Sequence, residues 1–219
     1  MTEYLPTIAV LGGTGAEGSG LAMRWAQAGY RVLIGSRSAE KAAEFAAEIG
    51  AEGMGNAEAA ARCDIAVLTV PYPAQRPTLS ELKDVLQEKI LVDVTVPLVP
   101  PKVMRVQLPE EGSAAQIAQT VLGDSVRVVS AFQNVSAGHL KDPDHVIDCD
   151  VLITGDDPAA REEVMRLATA AGLTAIEAGP LDNAVAAEAL TSLLIWINRK
   201  YKSPGAGIRI TALPYDSAT

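Results

Sequence analysis

The feature that most constrains this chain is Gly13-Thr14-Gly15-Ala16-Glu17-Gly18, a G-x-G-x-x-G run set between two contrasting patterns. Before it, Ile8-Ala9-Val10-Leu11 is a short apolar stretch that ends in glycines, the pattern of a buried strand. After it, Leu21, Ala22, Trp25 and Ala26 fall on one helical face, and Gly29 stands where a helix ends. Alone the glycine pattern is weak, but between a strand and a helix it becomes specific. There the first glycine permits a tight turn. The second lets backbone N–H groups approach a pyrophosphate, and the third lets the helix pack close to the strand. The helix N-terminus adds roughly +0.5 charge at the phosphates. These six residues, Gly13, Thr14, Gly15, Ala16, Glu17 and Gly18, are expected to bind a dinucleotide. The competing reading is a glycine-rich turn with no ligand.

The second strand, Arg31 to Ile34, discriminates further. NAD-binding chains place a carboxylate at its end, on the ribose 2′-hydroxyl. Here the sequence is Gly35-Ser36-Arg37-Ser38, with Lys41 four residues after Arg37. Arg37 and Lys41, spaced i and i+4, are expected on one face at the start of a helix. A hydroxyl, a guanidinium and an ammonium make a phosphate cluster, so Ser36, Arg37 and Lys41 predict NADP rather than NAD. Charge-assisted hydrogen bonds are worth ~1.5–3 kcal/mol each, enough for a preference of several hundredfold or more. The alternative is a pair of solvated charges, which would oppose the helix dipole.

The alternation continues downstream. Helices are expected at Ala39–Ile49, from an Asn56 cap to about Arg62, at Thr78–Gln87 and at about Ser113–Leu122. Strands are expected at Asp64–Val70, Ile90–Val96 and Val126–Ala131. The proline-rich stretch from Pro97 to Pro109 reads as a long loop. Further on, a strand at Asp150–Thr154 leads to Asp157-Pro158, an N-cap with proline at the first helical position, and a helix over Ala159–Ala171. A strand near Thr174–Glu177 and a long apolar helix from about Asn183 to Lys200 complete the series. The predicted fold is α/β, a Rossmann-type doubly wound parallel sheet with a small C-terminal α/β unit ending in a long helix. The expected division is a dinucleotide-binding domain over 1–148 and a small domain over 149–219 that completes a second-substrate pocket and a dimer interface. Aromatic residues are only 4%, so the core must be aliphatic, as in a sheet covered on both faces.

Charge and composition narrow the partners. A net charge of −9 disfavours nucleic acid. Two cysteines, Cys63 and Cys149, and two histidines, His139 and His145, show no metal-ligand spacing, so no metal site is expected. Cys63 and Cys149 read as buried thiols, and both histidines as surface residues. No basic, apolar leader and no uncharged apolar run of about 18 residues is visible, so a soluble cytoplasmic protein without a membrane partner is expected.

With these residues in place, the chain resembles the NADPH-dependent coenzyme F420 reductases, or F420H2:NADP oxidoreductases, over almost its whole length. The resemblance is carried by Leu11-Gly12-Gly13-Thr14-Gly15, Gly35-Ser36-Arg37, Cys63-Asp64-Ile65-Ala66-Val67-Leu68-Thr69 and Pro97-Leu98-Val99-Pro100. It continues in Gly112-Ser113-Ala114-Ala115, Val129-Ser130-Ala131, Gly155-Asp156-Asp157, Ala178-Gly179-Pro180-Leu181 and Gly205-Ala206-Gly207-Ile208. The resemblance implies a homodimer and direct hydride transfer between NADP(H) and the deazaflavin coenzyme F420. It implies that Thr14 and the loop to Gly18 hold the pyrophosphate, and it matches Ser36, Arg37 and Lys41 to the 2′-phosphate residues. Tyr72, Val99 and Ala137 fall where the family contacts the rest of the cofactor, Tyr72 replacing the Trp of many relatives. Two departures stand out. Relatives usually carry His after the Ser130-Ala131-Phe132 segment, where this chain has Gln133 and Asn134. Several carry Asn before the proline where this chain has Val96.

Hydride transfer between two rings needs no side-chain nucleophile, so no catalytic residue is singled out. Gln133, Asn134 and Ser136 are candidates to meet the polar edge of the second substrate, or alternatively to cap a nearby helix. Leu190, Leu193, Leu194, Trp196 and Ile197 exceed a one-sided stripe, which suits a dimer interface. Two alternatives differ in class: a reductase of another small acceptor such as an imine, ketone or flavin-like ring, and an NADPH-binding module without turnover. Source organisms that make F420 favour the first reading over its enzyme alternative. Binding without turnover, and no second cavity beside the nicotinamide, would mark the module.

Overall fold

The computed structural model describes residues 5–213. The chain alternates β1 (Ile8–Leu11), α1 (Ala16–Gln27), β2 (Val32–Ser36), α2 (Ala39–Ile49), β3 (Glu52–Gly55), α3 (Asn56–Arg62), β4 (Ile65–Leu68), α4 (Tyr72–Leu82) and β5 (Ile90–Asp93). It then runs through α5 (Ala114–Leu122), β6 (Arg127–Ser130), α6 (Ala137–Leu140), β7 (Asp150–Gly155), α7 (Pro158–Ala170), β8 (Thr174–Glu177) and α8 (Ala184–Tyr201). The eight strands form one sheet in the order β3-β2-β1-β4-β5-β6-β7-β8. The first six are parallel. β7 joins antiparallel to β6 through Val129↔Gly155 and Ser130↔Thr154, and β8 runs parallel to β7. The sheet therefore continues past residue 148, and its one change of direction falls there.

The apolar runs follow from this layering. Successive strand residues point to opposite faces, and both faces are covered. Ile8 and Val10 pack with Leu21, Trp25, Val164 and Leu167 on one side. Ala9 and Leu11 pack with Leu79, Leu91 and Ala118 on the other. Strand order reverses between β1 and β4, which opens a crevice at the carboxyl ends of these strands, where open α/β sheets bind ligands.

Some expected elements move. β3 carries no apolar run, and only Met54 in it is buried. It forms as an edge strand because β2 offers a free side to pair with, and Gly53 is required because a Cβ there would lie 2.2 Å from the Ala42 carbonyl. The helix expected at Thr78–Gln87 begins six residues earlier, at Tyr72. Pro71 and Pro73 do not delay it, since Pro71 is the cap and Pro73 sits in the first turn, where no N–H is needed. The helix ends at Leu82, and a single 3-10 turn covers Asp84–Leu86. Asp157 caps α7 as expected, its Oδ1 accepting from the Ala160 N–H at 2.7 Å.

A buried arginine that composition does not advertise fastens the back of the site. Arg24, on α1, donates to the carbonyls of Leu140, Ala171, His139, Asp142 and His145 at 2.6–3.2 Å. It pins the segment after α6 onto α1. His139 and His145, expected at the surface, are instead half-buried and stacked, with ring centroids 4.3 Å apart.

Candidate functional site

The glycine loop is held by backbone geometry. The N–H groups of Gly12 and Gly13 both donate to the Gly35 carbonyl at 3.0 Å, which ties the loop to the end of β2. Asn56 is not the expected helix cap. It is the first residue of α3, and its Oδ1 accepts from the Gly12 N–H at 3.2 Å. The tight turn also shifts by one residue, because the left-handed conformation (φ +77°) falls on Gly12 rather than on Gly13. Gly18 fulfils the close-packing role: a Cβ there would lie 2.4 Å from Thr69 Oγ1 and 2.9 Å from Gly13 Cα. At Gly15 a Cβ would approach no protein atom closer than 3.3 Å. Gly15 is thus less crowded than Gly18, although the Gly12 carbonyl oxygen makes the position tight, and it lies at the α1 N-terminus, where a phosphate would approach.

Ser36 is buried at the end of β2, and its Oγ accepts from the Ser38 N–H at 3.2 Å. Ser38 caps α2 by accepting from the Lys41 N–H at 3.3 Å. Arg37 thus lies one residue before the cap, and the expected i,i+4 pairing on a helix face does not form. Arg37 and Lys41 are nonetheless both exposed at the same end of α2, and neither side chain has an ion-pair partner among the described residues.

On the other side of the glycine loop lies a cavity of about 610 Å³. Its wall comes from the loops that follow β1, β4, β5 and β6 and from Thr191 on α8. Gly15, Ala16, Glu17, Tyr72, Ala137 and Gln133 line it. Thr14, Ser36, Arg37, Lys41, Val99, Asn134 and Ser136 do not, although Val99's neighbours Leu98 and Pro100 do. The wall is largely apolar. Phe132 holds it in a strained left-handed conformation (φ +74°), with its ring edge-on to Trp25 at 5.9 Å.

Behind the wall runs a buried polar network. The Gln133 Nε2 donates to the Asp93 carbonyl at 2.7 Å and to Ser130 Oγ at 2.8 Å. A backbone carbonyl only accepts, so the amide orientation is fixed and the Gln133 oxygen is the atom left for a ligand. Asn134 Nδ2 donates to the Ala187 carbonyl at 2.9 Å and to Thr191 Oγ1 at 3.3 Å, while the Thr191 hydroxyl donates to the Gln133 carbonyl at 2.8 Å. Neither Gln133 nor Asn134 caps α6. They fasten β6 to α8 instead, and Ser136 sits at the N-terminus of α6 without a side-chain cap bond.

Two further carboxylates belong to this network. The Asp93 carboxylate accepts from the Thr95 N–H at 2.9 Å and from Gln75 Nε2, which also donates to the Ala114 carbonyl at 2.8 Å. Burial pushes Asp93 up to about 6. Glu188, on α8, accepts from the N–H groups of Ala114 and Ala115 at 2.7 and 3.0 Å, which joins α8 to the start of α5. Burial raises Glu188 to about 8, against the lowering effect of those two donors.

The chain is similar to known proteins. Residues 7–97 match the family model described as NADP oxidoreductase coenzyme F420-dependent. The F420-dependent NADP reductase of Methanocaldococcus jannaschii is 43% identical over 94% of this chain and 98% of its own length. The chain belongs to the F420-dependent NADP reductase family. The reductase of Methanothermobacter thermautotrophicus is also 43% identical, over 94% of this chain and 95% of its own length. A structure described as a putative F420-dependent NADP reductase from Arthrobacter sp. FB24 covers 94% of this chain and 99% of its own, with TM-score 0.82 and 25% identity.

Three residues of this family member are not legible in the sequence as part of the site. Asn56 reads as a helix cap, Asp93 closes an apolar strand, and Glu188 lies within an apolar helix. A lone polar residue in such a run is the signal that could flag the last two, because buried carboxylates need partners. Cys63 and Cys149 are buried, as expected, and burial pushes the Cys63 thiol up to about 11. Among the described residues, no helix is long and apolar enough to cross a membrane.

Proposed function

We propose that this chain transfers a hydride between NADP(H) and coenzyme F420, with the phosphate half of NADP on the β1–α1 and β2–α2 turns and the two redox rings in the cavity. The observation that carries the reading is the pairing of a cationic, carboxylate-free β2 terminus with a separate apolar cavity, joined by the glycine loop, in a chain 43% identical to reductases of that name. The residues fit the group. Gly15 caps the α1 N-terminus without a side chain, and Ser36, Arg37 and Lys41 offer a hydroxyl and two cations to a 2′-phosphate. The cavity volume lies within the ~300–1,000 Å³ usual for small-molecule sites. The nicotinamide supplies or accepts the hydride. The chain's own part is to align two rings at ~3–3.5 Å and to exclude water.

The apolar loops after β4, β5 and β6 serve that exclusion, and Thr191 closes one side from α8. This contribution supports assigning residues 149–219 to the second-substrate side. Tyr72 and Ala137 are proposed to flank the nicotinamide half, and the Gln133 oxygen to accept from a ring N–H. Leu193, Trp196 and Tyr201 on α8 are exposed, which supports a homodimer through that helix. Steady-state anaerobic assays with NADPH against F420, a free flavin and a cyclic imine test the assignment. Turnover with F420 alone is expected, and faster turnover with the imine would replace it.

A further inference from the structure

We propose that Glu17 reads an amide edge of the bound redox pair, donating one hydrogen bond and accepting another as a neutral carboxylic acid. This rests on the functional reading above and adds a residue to it. Glu17 stands in the first turn of α1 and lines the cavity, which Ser36, Arg37 and Lys41 do not. Its Oε1 is shut off from solvent and has no hydrogen-bond partner among the described residues. A buried polar atom left so is costly and calls for a partner.

The surroundings favour the neutral acid. No Lys or Arg lines the cavity, and the one other titratable group in its wall is Tyr72. From β5, Asp93 is buried beside Thr95, held by Gln75 and the Thr95 N–H. From α6, the His139 carbonyl is taken up by Arg24. Burial alone then raises the Glu17 carboxyl to about 8. The α1 N-terminus favours an ionised carboxylate, but a pyrophosphate bound at the same helix end opposes one.

Several donors of this wall are already engaged: the Gln133 amide N–H groups serve Asp93 and Ser130, and the hydroxyls of Thr69 and Thr191 donate to the carbonyls of Leu11 and Gln133. The hydroxyls of Tyr72 and Thr95 also line the cavity, but neither offers a donor and an acceptor side by side on one planar group. A carboxylic acid presents a donor beside an acceptor, the complement of an N–H beside a C=O. The nicotinamide carboxamide carries that edge, and so does the pyrimidine ring of a deazaflavin.

The test is equilibrium binding of NADP+, of 2′-phospho-ADP-ribose (which lacks the nicotinamide) and of oxidised F420 to the wild type, Glu17→Gln and Glu17→Leu, near neutral pH and about 1.5 pH units above the Glu17 value. Glu17→Leu is expected to lose roughly tenfold or more in affinity, the size of two lost hydrogen bonds. Loss for NADP+ but not for 2′-phospho-ADP-ribose places the amide on nicotinamide, and loss for F420 alone places it on the deazaflavin. Glu17→Gln keeps a neutral donor and acceptor, so it should bind normally at both pH values, while the wild type weakens at the higher one. Unchanged binding by Glu17→Leu, or equal loss for NADP+ and 2′-phospho-ADP-ribose, would overturn the inference. Failure of the wild type to bind NADP+ at any pH would instead overturn the functional reading itself, and this inference with it.

Discussion

The two ends of the cleft are built by opposite means. The phosphate end is backbone and exposed charge: glycine N–H groups tied to Gly35, a helix N-terminus, and Arg37 and Lys41 at the surface. The redox end is an apolar cleft, backed by buried Asp93, Gln75, Gln133 and Glu188. The first can bind tightly with little shaping, because charge-assisted bonds to phosphate are strong and tolerant of position. The second must fix two rings within a fraction of an ångström, so its wall is braced from behind by a buried polar network. Affinity and nucleotide choice are expected to reside in the first end, and turnover in the second.

Four variants can break that division, taken from the phosphate end to Glu17. Replacing Arg37 and Lys41 together with alanine should weaken NADPH binding by several hundredfold or more, as two lost bonds of ~1.5–3 kcal/mol imply, and leave NADH binding unchanged. Calorimetric titration reads this directly, and equal losses for both nucleotides would erase the proposed 2′-phosphate role. Gly15→Ala separates ligand room from protein packing. It should lower the melting temperature only modestly, since the Gly12 carbonyl oxygen 3.3 Å away has to give a little and alanine caps α1 less well, yet weaken NADP+ binding by roughly tenfold or more.

Gln133→Leu acts at the other end. It removes the donor to the Asp93 carbonyl and Ser130, and should cost about 1–3 kcal/mol in denaturant unfolding. It should also raise the KM for F420 while leaving NADPH affinity alone. A change in NADPH affinity instead would show that the two ends are coupled.

A further effect is on pH-dependent stability. Glu17 has a folded value of about 8 against 4.5 when free. Its stabilising protonation is complete below the free value and lost as pH rises through about 8. Relative to Glu17→Gln, the wild type should therefore lose melting temperature between these two pH values, and parallel curves across that window would refute a buried neutral acid.

The two ends also differ in how far the sequence reveals them. The phosphate end is local, with strand, glycines, helix and cations lying within residues 8–41, and β1, α1 and α2 form close to where their patterns put them. Its errors are single-residue shifts: the turn at Gly12 and the cap at Ser38. The redox end is assembled from β4, β5, β6 and α8, segments more than a hundred residues apart. Nothing in the local pattern of Gln133 or Asn134 says that one faces the cavity and the other faces α8. The antiparallel docking of β7 on β6 brings α8 into range, and pairing direction is set by tertiary packing rather than by composition. Likewise Glu188 is legible as a carboxylate in an apolar helix, but not as the partner of Ala114 and Ala115, some 70 residues earlier.

The most direct test of hydride transfer to F420 is a single-turnover experiment: anaerobic rapid mixing of the protein with NADPH and oxidised F420, following deazaflavin absorbance near its free-coenzyme maximum of about 420 nm, with NADH as the control donor. Rapid bleaching with NADPH and little with NADH is predicted, because the cations choose the donor and the cavity aligns the rings. Tight NADPH binding with no bleaching would contradict that assignment, showing that the cavity around Gln133 and Glu17 serves a different molecule.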